Sequence, residues 1–179
     1  MAIKDSGKRR EFDTGAVRDI QEGKGRCDLM PLDVVAALVS GNGEGVLADA
    51  VVHTIALFQQ SGEVNRLYCV LRTFAQAEYG TTSTMLLEVA KQFEDGAEKY
   101  GEHNWQKGIP VKCYIDSAVR HYLKWSRGDE DEPHDRAFCW NILCAIWTCK
   151  HKPELNDYAV NAVPDFDPDN FMGEYEEEN

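Results

Sequence analysis

No run in the sequence approaches the 18 or so consecutive apolar residues that a bilayer-spanning helix needs. The start, Met1-Ala2-Ile3-Lys4-Asp5, carries charge where a signal peptide carries its apolar segment. Both absences point to a cytoplasmic protein. The six cysteines, at 27, 69, 113, 139, 144 and 149, include no C-x-x-C pair, which argues against a zinc ribbon or a thioredoxin-like site. They are expected to be reduced and mostly buried as small hydrophobes. Positive charge is also scarce: 19 Lys and Arg face 31 Asp and Glu, for a net charge of −12. Such a chain lacks the broad basic surface of non-specific DNA or RNA binding, where phosphate neutralisation dominates affinity. A small phosphorylated ligand needs only a local cationic pocket and stays possible. No clear strand alternation is visible anywhere, which removes the all-β architectures.

What remains is 179 residues, 43% of them hydrophobic and 28% charged, enough for one compact domain over residues 1–152. Residues 153–179 form an acidic tail with nine carboxylates and no Lys or Arg, so −9 of the net −12 lies there and the body carries −3. The tail reads as a solvating, partly disordered segment. The first 28 residues are polar and punctuated at Thr14-Gly15-Ala16 and Gly23-Lys24-Gly25-Arg26, and they read as a loop ordered by itself or by a ligand. Helical spacing begins after Pro31 with Leu32, Val35, Ala36 and Val39. It resumes over about 45–60 and 63–78, split at Ser61-Gly62. The most regular stretch, about 83–100, carries Leu86, Val89, Ala90, Phe93, Ala97 and Tyr100 as one apolar stripe. A Gly- and Pro-bounded loop over 101–110 follows, then helices at about 113–126 and 134–150 around an acidic loop. The fold class is all-α, a bundle of about five helices.

Three polar groupings lie where packing has no need of them. Glu94, Asp95 and Glu98 flank the apolar stripe. Like charges at this spacing repel unless a cation sits between them, and hard carboxylate oxygens on a helical bundle suit magnesium or manganese. A solvated acidic face is the plainer account. The segment Asp131-Glu132-Pro133-His134-Asp135 contains Glu132-x-x-Asp135 at a helix start, where capping explains one or two carboxylates but does not need them all. Arg120 and Lys124 share a helix face suited to phosphate oxygens, unless Arg120 merely pairs with Asp116 at the surface. Asn141 interrupts an apolar run and must find partners if buried; it lies two turns after His134, so both face one side of the helix. His53, His103 and His151 suggest no function.

Taken in order, the motifs resemble a known family. They are Phe12-x-Thr14-Gly15-Ala16-x-Arg18-Asp19 with Gly23-Lys24-Gly25-Arg26-x-Asp28-Leu29-x-Pro31, then Phe93-Glu94-x-Gly96-Ala97-x-Lys99-Tyr100-Gly101-x-x-Asn104-Trp105-x-x-Gly108. Tyr114-x-Asp116-Ser117-Ala118-x-Arg120-His121, Gly128-x-x-Asp131-Glu132-x-His134 and Trp140-Asn141 complete the series. It resembles the dATP/dGTP diphosphohydrolase domain common in bacteriophages and prophages. That domain is related to the MazZ enzymes and through them to the all-α MazG-type nucleotide pyrophosphohydrolases. The likeness covers residues 8–39 and 84–149, and it implies that residues 40–83 are a helical insertion.

The resemblance implies hydrolysis of a purine deoxynucleoside triphosphate to monophosphate and pyrophosphate with Mg2+ or Mn2+. It implies metal ligands among Glu94, Asp95, Glu98, His121, Asp131, Glu132 and Asp135, and catalytic roles for Glu94, Glu98, Glu132 and His134. MazG-type enzymes carry E-x-x-E and a later E-x-x-D; the nearest counterparts here are Asp95-x-x-Glu98 and Glu132-x-x-Asp135, with Glu94 an alternative ligand and His121 or His134 in place of a carboxylate. Lys24, Arg26, Lys99, Arg120 and Lys124 are implied to hold phosphates, and Tyr100, Asn104, Trp105 and Asn141 to meet the base. The implied partners are a nucleotide and further copies of the chain, with neither membrane nor nucleic acid. A protein that sequesters a nucleotide signal without cleaving it is the alternative reading.

Overall fold

A computed structural model describes residues 7–20, 27, 30, 47 and 49–158. The expected helix after Pro31, the phosphate candidates Lys24 and Arg26, and the tail beyond residue 158 lie outside the described residues. Two short strands, β1 (Arg9–Glu11) and β2 (Val17–Asp19), pair antiparallel with Arg9 opposite Asp19 and Arg10 opposite Arg18. A π-helical turn, Asp49–His53, leads into α1 (Thr54–Ser61). Next come α2 (Val64–Phe74), which runs on as a π turn to Tyr79, α3 (Thr82–Tyr100), a 3-10 turn Asn104–Lys107, α4 (Val111–Arg127) and α5 (His134–His151). No described helix is long and apolar enough to cross a membrane. The expected all-α class holds, with five α-helices among the described residues.

The helix ends follow local chemistry. Thr81 is extended and its hydroxyl oxygen accepts the Thr84 N–H at 3.1 Å, starting α3. Gly128 ends α4 in the left-handed region, φ 82°, where its N–H reaches the Trp125 carbonyl at 2.9 Å. The chain then reverses. Tyr122 meets Phe138 at 5.5 Å and Tyr114 meets Trp140 at 6.0 Å between ring centroids, so α5 returns along α4. Phe74 of α2 is the hub of the core, with edge contacts to Tyr79, Tyr122, Trp125 and Phe138 at 4.7–6.3 Å, the arrangement ring quadrupoles favour.

Three details depart from the sequence reading. The polar leader, expected as a loop, contains the β1–β2 hairpin; its strands are too short to show alternation and are held by a partner far along the chain, described below. The stripe on α3 is rotated: Met85, Val89 and Gln92 are buried, while Leu86 and Ala90 are exposed. The C-terminal half of the expected stripe, Phe93, Ala97 and Tyr100, lines a cavity instead of the core. Finally, the first residues of the acidic tail make tertiary contacts. Asp157 accepts the Lys112 N–H at 2.9 Å and pairs with its ammonium at 2.9 Å, and the Tyr158 ring meets Phe58 at 5.4 Å.

Candidate functional site

A cavity of about 990 Å³ lies between the hairpin, α3, the 101–109 turn, α4 and α5. The turn positions the hairpin. Asn104, buried after His103 at a left-handed φ of 56°, acts as an extra strand residue: its Oδ1 accepts the Val17 N–H at 2.9 Å and its Nδ2 donates to the Val17 carbonyl at 2.8 Å. The Thr14 hydroxyl donates to the Gly108 carbonyl and fixes the hairpin loop to the same turn. With both ends pinned, β2 delivers Arg18 onto α4 and α5. Its Nη2 donates to Ser117 Oγ at 3.0 Å and to Asn141 Oδ1 at 2.9 Å, and its guanidinium lies 5.1 Å from the centre of the Tyr114 ring.

Arg120 reaches the same hydroxyl from one turn further along α4, with Nη2 donating to Ser117 Oγ at 3.0 Å and Nη1 to Asp116 Oδ2 at 3.0 Å. Asp116 is buried, so this pair is no surface ion pair. Ser117 therefore accepts from two guanidiniums, using both lone pairs of its hydroxyl. Two cations on one neutral oxygen repel each other, and the buried Asp116 carboxylate offsets part of that charge. Arg18 Nη1 is buried without a partner among the described residues. Lys124, the next turn of α4, lines the cavity and pairs with Asp131 at 3.2 Å.

Beside this cationic end, the Nδ1 atoms of His121 and His134 lie 2.9 Å apart, with Glu132 Oε1 at 3.7 Å from each. His134 Nε2 is 2.8 Å from Asp131 Oδ1. A carboxylate only accepts, so His134 carries its proton on Nε2 and turns the Nδ1 lone pair toward His121. Burial first, then His134, Arg120, Lys124 and Arg18, hold the His121 pKa well below the usual histidine value, so its imidazole is neutral at pH 7. The His121 and His134 rings with the Glu132 carboxylate, backed by an outer carboxylate on His134, fit a borderline divalent ion. The 2.9 Å nitrogen separation puts both rings within reach of one ion. A second acidic group at Asp129, Asp131 and His134 is committed internally, with Asp129 held by Arg127 at 2.8 Å.

The cavity also has an aromatic wall, to which Phe93, Tyr100, Trp105 and Trp140 contribute lining side chains. Trp147, Trp105, Phe93, Trp140 and Tyr114 follow one another edge to face at 5.0, 5.4, 5.8 and 6.0 Å. Tyr100 lies between the Arg9 and Lys99 cations, each 5.2 Å from its ring centre, and burial keeps its phenol neutral. Within this wall two cavity-lining side chains hold buried polar atoms that are unpaired among the described residues: Gln92 Oε1 and Trp140 Nε1.

Of the residues singled out in the sequence, Glu94, Lys99, Tyr100, Asn104, Trp105, Arg120, His121, Lys124, Glu132 and Asn141 line this one cavity. His134 and Asp131 stand directly behind it, through His121. Three carboxylates are placed elsewhere: Asp95 accepts from Arg136 at 2.6 Å, Asp135 accepts from the Tyr79 hydroxyl at 2.7 Å, and Glu98 is exposed outside the lining. Asn104 and Asn141 spend their amides on protein partners, the latter also donating to the Ala137 carbonyl at 2.8 Å. Arg18, Ser117 and Gln92 received no role from the sequence. For Arg18 the available signal was its place in the leader motif; for Gln92 it was a polar residue one turn from Val89 on the buried face.

Residues 76–158 match the family model described as dATP/dGTP diphosphohydrolase, N-terminal. No curated protein and no solved structure matches the chain. The matched stretch carries α3, the 101–109 turn, α4 and α5, the elements that build the cavity apart from the hairpin. Over residues 76–158 the chain is thus similar to the dATP/dGTP diphosphohydrolase N-terminal domain family.

Proposed function

We propose that the protein hydrolyses purine deoxynucleoside triphosphates, dATP and dGTP, to the monophosphate and pyrophosphate with the help of a divalent ion. The observation that carries this reading is one cavity with an Arg18–Arg120–Lys124 cationic end, a His121–Glu132–His134 donor cluster beside it and an aromatic wall. Its volume falls within the range of small-molecule sites. The family match, whose name specifies those two nucleotides, supports it.

In this reading Arg18 and Arg120 grip phosphate oxygens, held ready by their shared Ser117 hydroxyl, and the incoming anion relieves their mutual repulsion. Lys124 adds a point charge that its contact with Asp131 keeps in place. His121, Glu132 and His134 hold the ion, and Asp131 fixes the tautomer of His134 that leaves Nδ1 free to do so. The nitrogen-rich set favours Mn2+ over Mg2+. The bound ion supplies charge neutralisation and an acidified water. Water attacks the α-phosphorus, the bond to the bridging oxygen breaks, and pyrophosphate leaves with that oxygen's electron pair. Glu94, lining the cavity from α3, is the carboxylate available to take the water's proton. Asn104 acts at one remove, through Arg18.

The test incubates purified protein and Mn2+ with each deoxy- and ribonucleoside triphosphate and separates the products. Monophosphate and pyrophosphate from dATP and dGTP are expected. Recovery of intact, tightly held nucleotide marks a sequestering protein and refutes hydrolysis.

A further inference from the structure

We propose that Gln92 and Trp140 together read the base, fixing purines and tolerating both adenine and guanine. The inference rests on the nucleotide reading above and specifies which part of the ligand lies against the aromatic wall.

The two side chains come from facing helices, α3 and α5, and Phe93, next to Gln92, has its ring 5.8 Å from that of Trp140. Gln92 is only 6% exposed, yet its Oε1 has no partner among the described residues, and neither does the indole N–H of Trp140. Buried polar groups are almost always paired, and each orphan destabilises the empty protein. One orphan is an acceptor and the other a donor. That combination is what a polar edge needs in an otherwise apolar wall.

The edge that fits is the imidazole side of a purine. Adenine offers an acceptor at N7 beside a donor at N6; guanine offers acceptors at N7 and O6. The Trp140 N–H donates to N7 in both. The Gln92 amide has a carbonyl oxygen and an N–H at its two ends, so a half-turn of the amide lets it accept from adenine N6–H or donate to guanine O6. Pyrimidines have no N7 and leave the indole unpaired. A single ambivalent amide beside a fixed donor thus gives purine selection without choosing between the purines, while the surrounding rings stack on the base's faces.

The test compares kcat/KM for dATP, dGTP and their 7-deaza analogues, which replace N7 by carbon, in the wild type and in Gln92→Glu, Gln92→Met and Trp140→Phe. In the wild type, both 7-deaza analogues should lose about ten-fold or more, because a buried donor is left unpaired. In Trp140→Phe, parent and 7-deaza nucleotides should be used alike. Gln92→Glu, able only to accept, should shift the dATP-to-dGTP ratio toward dATP by about ten- to hundred-fold. Gln92→Met should weaken both equally. Undiminished use of 7-deaza analogues by the wild type, which involves no variant fold, overturns the role of Trp140. An unchanged ratio in a Gln92→Glu protein with wild-type circular dichroism overturns that of Gln92. If the wild type turns over no triphosphate at all, the hydrolase reading falls, and this one with it; turnover with either unchanged pattern removes only the base reading.

Discussion

Removing the Asn104 amide should loosen the hairpin and, through it, the grip on phosphate. Asn104→Ala deletes the bonds of 2.9 and 2.8 Å that clamp Val17, immediately before Arg18. Each such bond contributes on the order of 0.5–1.5 kcal/mol net, so docking weakens by about 1–3 kcal/mol. A two-stranded hairpin of three-residue strands has little stability of its own and relies on this clamp. At about 2 kcal/mol, docking falls by up to roughly thirty-fold, and apparent substrate affinity falls in proportion once the docked form is no longer dominant. The assay is steady-state hydrolysis of dATP with Mn2+. KM should rise toward that limit with a smaller change in kcat, and amide exchange over residues 9–19 should accelerate. Thr14→Val, which removes the bond to Gly108, should act in the same direction. Faster exchange with unchanged KM would show that the hairpin serves stability and that Arg18 does not grip substrate.

Three other outcomes are expected. His121→Ala and Glu132→Ala should abolish Mn2+-dependent turnover and Mn2+ binding by calorimetry while leaving helical circular dichroism intact; full activity in both would remove the metal site. In chelator-treated protein, folded His121 binds its proton at lower pH than the unfolded chain does. Stability should therefore fall as pH drops below about 6.5, and the fall should be smaller in His121→Phe, read as Tm against pH. Gly108→Ala puts a methyl group 2.7 Å from Leu155 and 2.8 Å from Lys152 at a φ of 107° that favours glycine. It should destabilise by about 1–3 kcal/mol, lowering Tm by roughly 2–10 °C.

What was legible in the sequence was local. The periodicity of 113–126 and 134–150 marked α4 and α5, and a three-to-four-residue repeat placed Arg120 and Lys124 on one face. Asn141 stood out because an amide in an apolar run must have a reason. The rest was set by partners distant in the chain. Nothing in Arg9-Arg10-Glu11 announces a strand, since Asn104, far along the chain, clamps the hairpin. The rotation of α3 depended on which neighbours cover it, because Met85 and Leu86 satisfy hydropathy equally. His121 and His134 carried no spacing signature of their own. They meet because the chain reverses at Gly128, and that meeting draws the donor cluster toward histidine and away from Asp95 and Asp135.

The bonds from Arg18 to Ser117 and Asn141 join residues 99 and 123 positions apart. During synthesis, the hairpin leaves the ribosome long before its docking partners exist. The α4–α5 pair can form from near neighbours, so closing the cavity is the late, long-range step of folding. A chain arrested before residue 141 leaves Arg18 without its Asn141 anchor, so the cavity closes only after α5 has emerged.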